Sequence, residues 1–349
     1  MKFLRDILHN VPEYKTLKKY VDEKILPIGI VGISHIHKSH IIYSLITDKR
    51  KKAFIISPDE SQAQKMANDF MSMGLRVVVY LSKDFNFRDL ESRSMEYEQQ
   101  RLSALSEILD DNCDVIISCI DAALQYTIPP ELLRKVNKRF YISQEIPISE
   151  ISEYLILCGY TKCEQVDGPG QFSVRGGILD LYTPNHLQPI RMEFWGDEID
   201  TISYFDSETQ RRTESIEEIE ISTSTEVLVE NPKRLAKEIS EFMNQLDEHK
   251  LKVCREYLLA EIEKLNNNII PNSIDKFIPL LYKKTSTLFD YISDKYMVFM
   301  SEPQKIEQRL KANLWQWGED IKEYLKEGVL CSGLDKYCED EVYLDDCLS

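Results

Sequence analysis

No apolar run among the 349 residues is long enough to cross a bilayer. The opening stretch MKFLRDILHN has neither the apolar segment nor the small-residue cleavage site of a secretory signal, so a cytoplasmic location is expected. Cys-x-x-Cys pairs are missing too. The eight cysteines, at 113, 119, 158, 163, 254, 331, 338 and 347, fit neither a zinc ribbon nor a disulfide framework and predict reduced thiols. Positive charge is in short supply: 43 Lys and Arg against 59 Asp and Glu leave a net charge of -16, which repels a phosphate backbone over much of the surface. Strong DNA binding by this chain alone is therefore disfavoured. Histidine is scarce, six in all, yet His35, His37 and His40 fall together. No neighbouring Cys or carboxylate completes a ligand shell there, so solvated imidazoles are favoured over a metal site.

What the chain does have is alternation of strand and helix. Residues 53–57, 75–81 and 113–120 read as apolar strands, separated by helical stretches at 62–74 and about 91–109. That order implies parallel βαβ units, an α/β fold class. Ahead of them, the apolar run at 26–31 reads as a strand, followed by GISHIHKS and a helix over about 39–47, the setting of a phosphate-binding loop. Gly32, Lys38 and Ser39 fit the spacing G-x-x-x-x-G-K-[ST], but His37 stands where the second glycine belongs. Backbone amides wrap the phosphates closely at that position, and an imidazole obstructs the cradle.

The period changes over 168–210. Strands at 171–174 and 178–182 flank Gly176-Gly177, and strands at 190–195 and 198–205 flank Gly196-Asp197. Alternation sends Phe172, Val174, Ile190, Met192 and Phe194 to the core, and Gln171, Ser173, Arg175, Arg191, Glu193 and Trp195 to the other face. Two arginines and an indole on one face make a candidate docking surface. The competing reading covers Trp195 with a neighbouring helix and pairs the arginines as surface charges. Beyond this stretch, 216–221 reads as a strand, 232–265 as helical, and the acidic end at 339–346 as a solvated tail or linker.

The segments GQFSVRGGILDLYTP and PIRMEFWGDEIDTISYFD resemble the second domain shared by bacterial transcription-repair coupling factors (Mfd) and the excinuclease component UvrB, and the ending Ser207 to Arg211 is nearer the coupling factor. The resemblance implies a degenerate RecA-like parallel-sheet domain of the P-loop NTPase type, carrying an inserted small α+β domain with an antiparallel sheet. Its divisions would fall at 1–135 and 224–338 for the RecA-like parts, 136–223 for the insertion and 339–349 for the acidic tail. It implies UvrA as partner, with Arg175, Arg191 and Trp195 as contact positions, Trp195 standing where coupling factors more usually carry phenylalanine.

The segment 281–310 resembles the return of the chain to the first domain in both families, which implies a buried strand at 296–300; ATPases of this class end that strand with Asp-Glu, the aspartate holding Mg²⁺ and the glutamate polarising water. This chain has Ser301 and Glu302. With His37 that makes two departures in one centre, so no catalytic residue, metal or cofactor is expected here, and ATP and Mg²⁺ would belong to motor domains of a longer parent. The tyrosine-rich hairpin with which UvrB probes damaged DNA has no counterpart in residues 82–100. The expected role is that of an N-terminal module recruiting UvrA to stalled RNA polymerase on DNA in transcription-coupled nucleotide excision repair, its docking face held against the C-terminal region until needed. The alternative, a nucleotide-dependent damaged-DNA-binding enzyme like UvrB, needs ATP at Lys38 and Ser39 and the missing hairpin. A third reading is a scaffold without that partner, its Trp195 buried.

Overall fold

A computed structural model describes residues 6–88 and 96–348. After helix α1 (Pro12–Asp22) and α2 (His35–Lys49), the apolar run KAFIIS forms β1 (Lys52–Ser57). Helix α3 (Glu60–Ser72) follows; the Asp59 carboxylate caps it by accepting from the Gln62 amide at 2.8 Å. It buries Ala63, Met66, Ala67 and Phe70, one face at helical spacing. Strand β2 (Val77–Tyr80), helix α4 (Glu96–Leu109) and strand β3 (Val115–Cys119) complete two parallel crossovers, with Ala53 and Val77 both in register with Val115. β1 and β3 are buried on both faces, as parallel strands between helical layers must be.

Two short helices, α5 (Ile120–Leu124) and α6 (Pro130–Val136), lead to β4 (Lys138–Tyr141) and α7 (Ile148–Leu157). Next come β5 (Thr161–Lys162), β6 (Gln171–Arg175), β7 (Ile178–Tyr182), β8 (Ile190–Trp195), β9 (Glu198–Phe205) and β10 (Arg212–Ile216), which form a six-stranded sheet in the order β10-β9-β8-β7-β6-β5. It is antiparallel except at β5, which runs parallel to β6. Strand β11 (Glu218–Ile221) pairs with β4 in a separate ribbon. Phe172, Leu179, Ile190, Met192 and Ile202 pack with Ile151 and Leu155 of α7 as a second core. The chain then builds helices α8 (Pro232–Met243), α9 (Glu248–Asn266) and α10 (Ile278–Leu281), strand β12 (Tyr296–Met300), and helices α11 (Pro303–Glu327) and α12 (Glu341–Leu348). β12 pairs parallel with β1, so the first sheet runs β12-β1-β3-β2. The molecule is thus an α/β protein with a parallel sheet and a separate, mainly antiparallel one, as the sequence pattern implied, and a two-stranded ribbon besides.

Four expectations are corrected. Residues 26–31 form no strand: Val31 is 94% exposed, and Ile28 packs on the small core of Tyr14, Leu17 and Leu45. Pro27 has no amide hydrogen to give a sheet, which disfavours a ladder at that point. β12 is consequently an edge strand with Val298 exposed rather than a fully buried one. The run at 216–221 divides between two sheets, the break falling at Glu217, whose carbonyl accepts the Ile142 amide. The acidic end is not solvated throughout: the Glu339 amide donates to the Leu124 carbonyl at 2.9 Å, Leu344 is buried and Tyr343 packs on Phe289. Apolar residues interleaved with the acids give α12 a face to bury. Part of the segment expected to lack a hairpin, 89–95, lies outside the described residues.

Candidate functional site

The alternation along β6 to β9 holds in the structure. Phe172, Leu179, Leu181, Ile190, Met192, Ile199 and Ile202 are fully buried on one face. On the other, a cross-strand row joins Ser173, Asp180, Arg191 and Ser203. Ser173, expected outward, is on that face but covered, its hydroxyl donating to the Glu164 carbonyl at 2.9 Å.

Asp180, only 1% exposed, organises this face. Arg191 grips it with two prongs, Nε to Oδ1 at 2.6 Å and Nη2 to Oδ2 at 2.8 Å. Arg175 Nη2 reaches the same Oδ2 at 2.9 Å. Two guanidinium groups therefore share one carboxylate, and the patch keeps a net positive charge. The arginines differ in depth. Arg175 is half exposed, whereas the Arg191 side chain is 13% exposed, lies over the Phe205 ring at 4.6 Å and donates to the Gln210 carbonyl. Hydrogen bonding to Asp180 holds the Arg191 guanidinium above its ordinary pKa. Asp180 escaped the sequence reading; its signal was an acid between Leu179 and Leu181 on an outward position opposite Arg191.

Trp195 ends β8 and is 84% exposed, with no helix over it among the described residues. Gly196, at φ +64°, turns the chain so that Trp195 faces Glu198 across a two-residue hairpin loop. A register shift between Glu193 and Phe194 leaves alternation along β8 intact, with Phe194 packed on the core. The neighbouring hairpin closes tightly on this strand: the Phe194 amide donates to the Gly177 carbonyl at 2.8 Å, and a Cβ at Gly177 would sit 3.0 Å from the Phe194 carbonyl oxygen. Arg175, beside that turn, and Trp195, beside Phe194, are thereby brought to one end of the sheet. Arg191 is set back from them as an anchor.

The phosphate-loop remnant is organised differently. α2 begins at His35, so the amides of His37 and Lys38 already donate to the Ser34 carbonyl at 3.1 and 3.2 Å. The Lys38 ammonium is ion-paired with Glu302. That pairing, first through its hydrogen bond, holds the Glu302 carboxyl below its ordinary range. The Ser39 hydroxyl is buried and donates to Asp69 at 2.9 Å. Ser301 continues the sheet, its amide donating to Ile56. Lys38 and Glu302, 264 positions apart, are thus brought together, but as partners of each other. Gly32 keeps φ +77° with open space around it. The imidazoles diverge, His37 toward Ser34 and His35 toward Asp69. A polar cleft of about 280 Å³ between α4 and the inserted strands, bordered by Glu107, Asp110, Arg139 and Glu220, touches neither candidate site.

Comparison with known proteins locates the unusual stretch. Residues 139–226 match a family model described as the UvrB interaction domain. The chain is 24% identical over 340 residues to the transcription-repair-coupling factor of Bacillus subtilis, covering 95% of this chain and 29% of that protein. It is 24% identical to the corresponding factor of Staphylococcus haemolyticus, covering 86% of this chain and 26% of that protein. For the Staphylococcus aureus factor the figures are 23% identity, 80% and 24%. The chain spans less than a third of the length of these curated relatives.

Proposed function

We propose that the chain is a protein-docking module of transcription-coupled repair that recruits UvrA, a reading supported by the match of residues 139–226 to the UvrB interaction domain and by the similarity of most of the chain to transcription-repair-coupling factors. The longer protein would then act on stalled RNA polymerase and DNA. The observation that carries the proposal is Trp195: a large indole, 84% exposed, held on a two-residue hairpin at the same end of the sheet as a half-exposed arginine. An aromatic anchor next to a guanidinium is the composition at which binding energy concentrates, and a fixed backbone spares the ordering cost. Arg175 supplies the accessible cation. Arg191 holds Asp180, which also accepts from Arg175, so its contribution is to position that arginine.

The test is calorimetric titration of purified UvrA into the chain. Trp195→Ala should weaken binding at least tenfold without moving the melting temperature, and Arg175→Glu should weaken it through charge repulsion. Binding indifferent to both changes would refute the assignment of this face.

The same proposal makes the parallel-sheet domain a non-hydrolytic support. Its grounds are that Lys38 is neutralised by Glu302, Ser39 is committed to Asp69, and Ser301 stands where the resembling ATPases place a metal-binding carboxylate. A ligand stabilises only the state that binds it. Millimolar ATP with Mg²⁺ should therefore leave the melting temperature unchanged, and a dose-dependent rise would favour the nucleotide-dependent reading instead.

A further inference from the structure

Inside the parallel-sheet domain lies a knot of charge that partner docking does not use. Lys83, Glu98, Arg101, Glu226 and Asp275 are each no more than 5% exposed. Arg101 meets Glu226 with both prongs, Nε to Oε1 at 2.6 Å and Nη2 to Oε2 at 3.2 Å. Its remaining nitrogen donates to the Leu81 carbonyl and to the Gln125 amide oxygen. Lys83 Nζ stands 3.8 Å from Glu226 and 3.3 Å from Asp275. Glu98 accepts from the Thr225 hydroxyl at 3.0 Å and from the Glu226 amide at 2.7 Å.

The location of these contacts matters more than their number. The chain leaves the parallel-sheet domain through residues 125–138 and comes back through 222–229, and these are the two covalent connections to the inserted sheet. Gln125 and Thr127 are on the outgoing connection, and Thr127 donates to Glu226 at 2.9 Å. Thr225 and Glu226 are on the returning one. Glu98 and Arg101, one turn apart on α4, hold both. Between them in sequence, Gln99 donates to the Pro169 carbonyl, at the loop entering β6, and a Cβ on Gly170 would meet its amide nitrogen at 2.9 Å. One helix therefore fastens both connections and also touches the inserted domain directly.

Buried ion pairs add little net stability over well-packed apolar side chains, because desolvation offsets their attraction. Their distinguishing property is directional: a two-pronged guanidinium–carboxylate contact is satisfied in one arrangement only. We propose that this knot is a locked joint that fixes the angle between the inserted antiparallel domain and the parallel-sheet domain, so that the two move as one body. The inference concerns the joint alone and stands whether or not UvrA is the partner.

Hydrogen exchange read by mass spectrometry tests it. In the unaltered protein, amides of 125–138 and 222–229 should exchange as slowly as those of β3, with no separate faster opening. In the double variant Arg101→Met with Glu226→Leu, which removes both buried charges together, the fold should persist, shown by parent-like protection across β8 and β9. Exchange in the two connections should accelerate at least tenfold, and small-angle scattering should broaden toward larger dimensions. Parent-like exchange and scattering in the folded double variant would overturn the proposal. So would fast exchange of either connection in the unaltered protein, a result that needs no variant to fold.

Discussion

Asp180 decides what each arginine on the docking face can do. It is almost wholly covered and accepts from both Arg175 and Arg191, so the face is built around a buried anion rather than around three independent contacts. Removing one partner of a buried pair strands the other without compensation. Arg191→Glu should accordingly cost about 3–5 kcal/mol in urea unfolding, since it sets a second carboxylate against Asp180 where Arg191 lay. Arg175→Glu acts at a half-exposed position and should cost about 1 kcal/mol or less. Equal losses for the two would contradict the division into anchor and contact. The direction of these side chains was legible, because alternation along β6 and β8 follows from the pleat alone. Their depth was not, because it depends on the register that puts Asp180 beside Arg191 and on Gln210, which arrives from the far end of β9. Trp195 outside the sheet was legible as one of two readings, and the structure leaves it uncovered.

Among the elements, those with strong local signals were read correctly and those that needed a neighbour were not. The hairpins at Gly176-Gly177 and Gly196-Asp197 and the alternating run from β1 to β3 are encoded by turn residues and periodicity. Residues 26–31 are apolar enough for a strand, but composition cannot report that a ladder partner is missing. Helix α2 starts at His35, four residues ahead of the expected 39, because the loop spacing points to a phosphate cradle where the chain is already helical. Glycine shows the same dependence on neighbours within one element, α11. Gly328 ends that helix at φ +80°, and a Cβ there would fall 2.1 Å from the Val253 carbonyl oxygen of α9. Backbone cannot step aside as a side chain can, so Gly328→Ala should destabilise by about 2–4 kcal/mol in thermal unfolding, a large effect for one methyl. Gly318 lies inside the same helix with open space around it. Gly318→Ala should stabilise by about 0.5–1 kcal/mol, through helix propensity alone. If both substitutions were neutral, the close approach of α11 to α9 would be wrong.

Across the whole molecule, two effects of pH act in opposite directions, and their crossing point can be worked out. At neutral pH the net charge of -16 makes the folded chain repel itself, and titration toward the isoelectric point near 5.0 relieves this. Against that, several carboxyls are held below their ordinary range: Asp114 by hydrogen bonding to Arg76, and Asp111 down to about 2 by Lys295 and Lys52. At Glu226, burial works upward, but Arg101 and Lys83 outweigh it and the carboxyl is held low. A depressed folded pKa means stability that is complete above the unfolded value, near pH 4, and is lost as pH falls through the folded one. Asp110 and Asp121 run the other way, since burial raises them and protonation favours their folded state. The melting temperature should therefore climb from pH 8 to a maximum near pH ~5–6 and fall steeply below pH ~4. Added salt separates the two causes, because it screens exposed charges far more than buried pairs. Raising NaCl at pH 8 should lift the melting temperature toward its maximum and weaken the exposed pairs at Asp111 and Asp114, while the part of the acid limb that the buried Glu226 supplies stays in place. A profile flat from pH 8 to 3 would contradict both effects, and an acid limb that salt abolishes would mean that surface charge alone sets the stability and that the buried Glu226 pair of the α4 joint does not hold its charge.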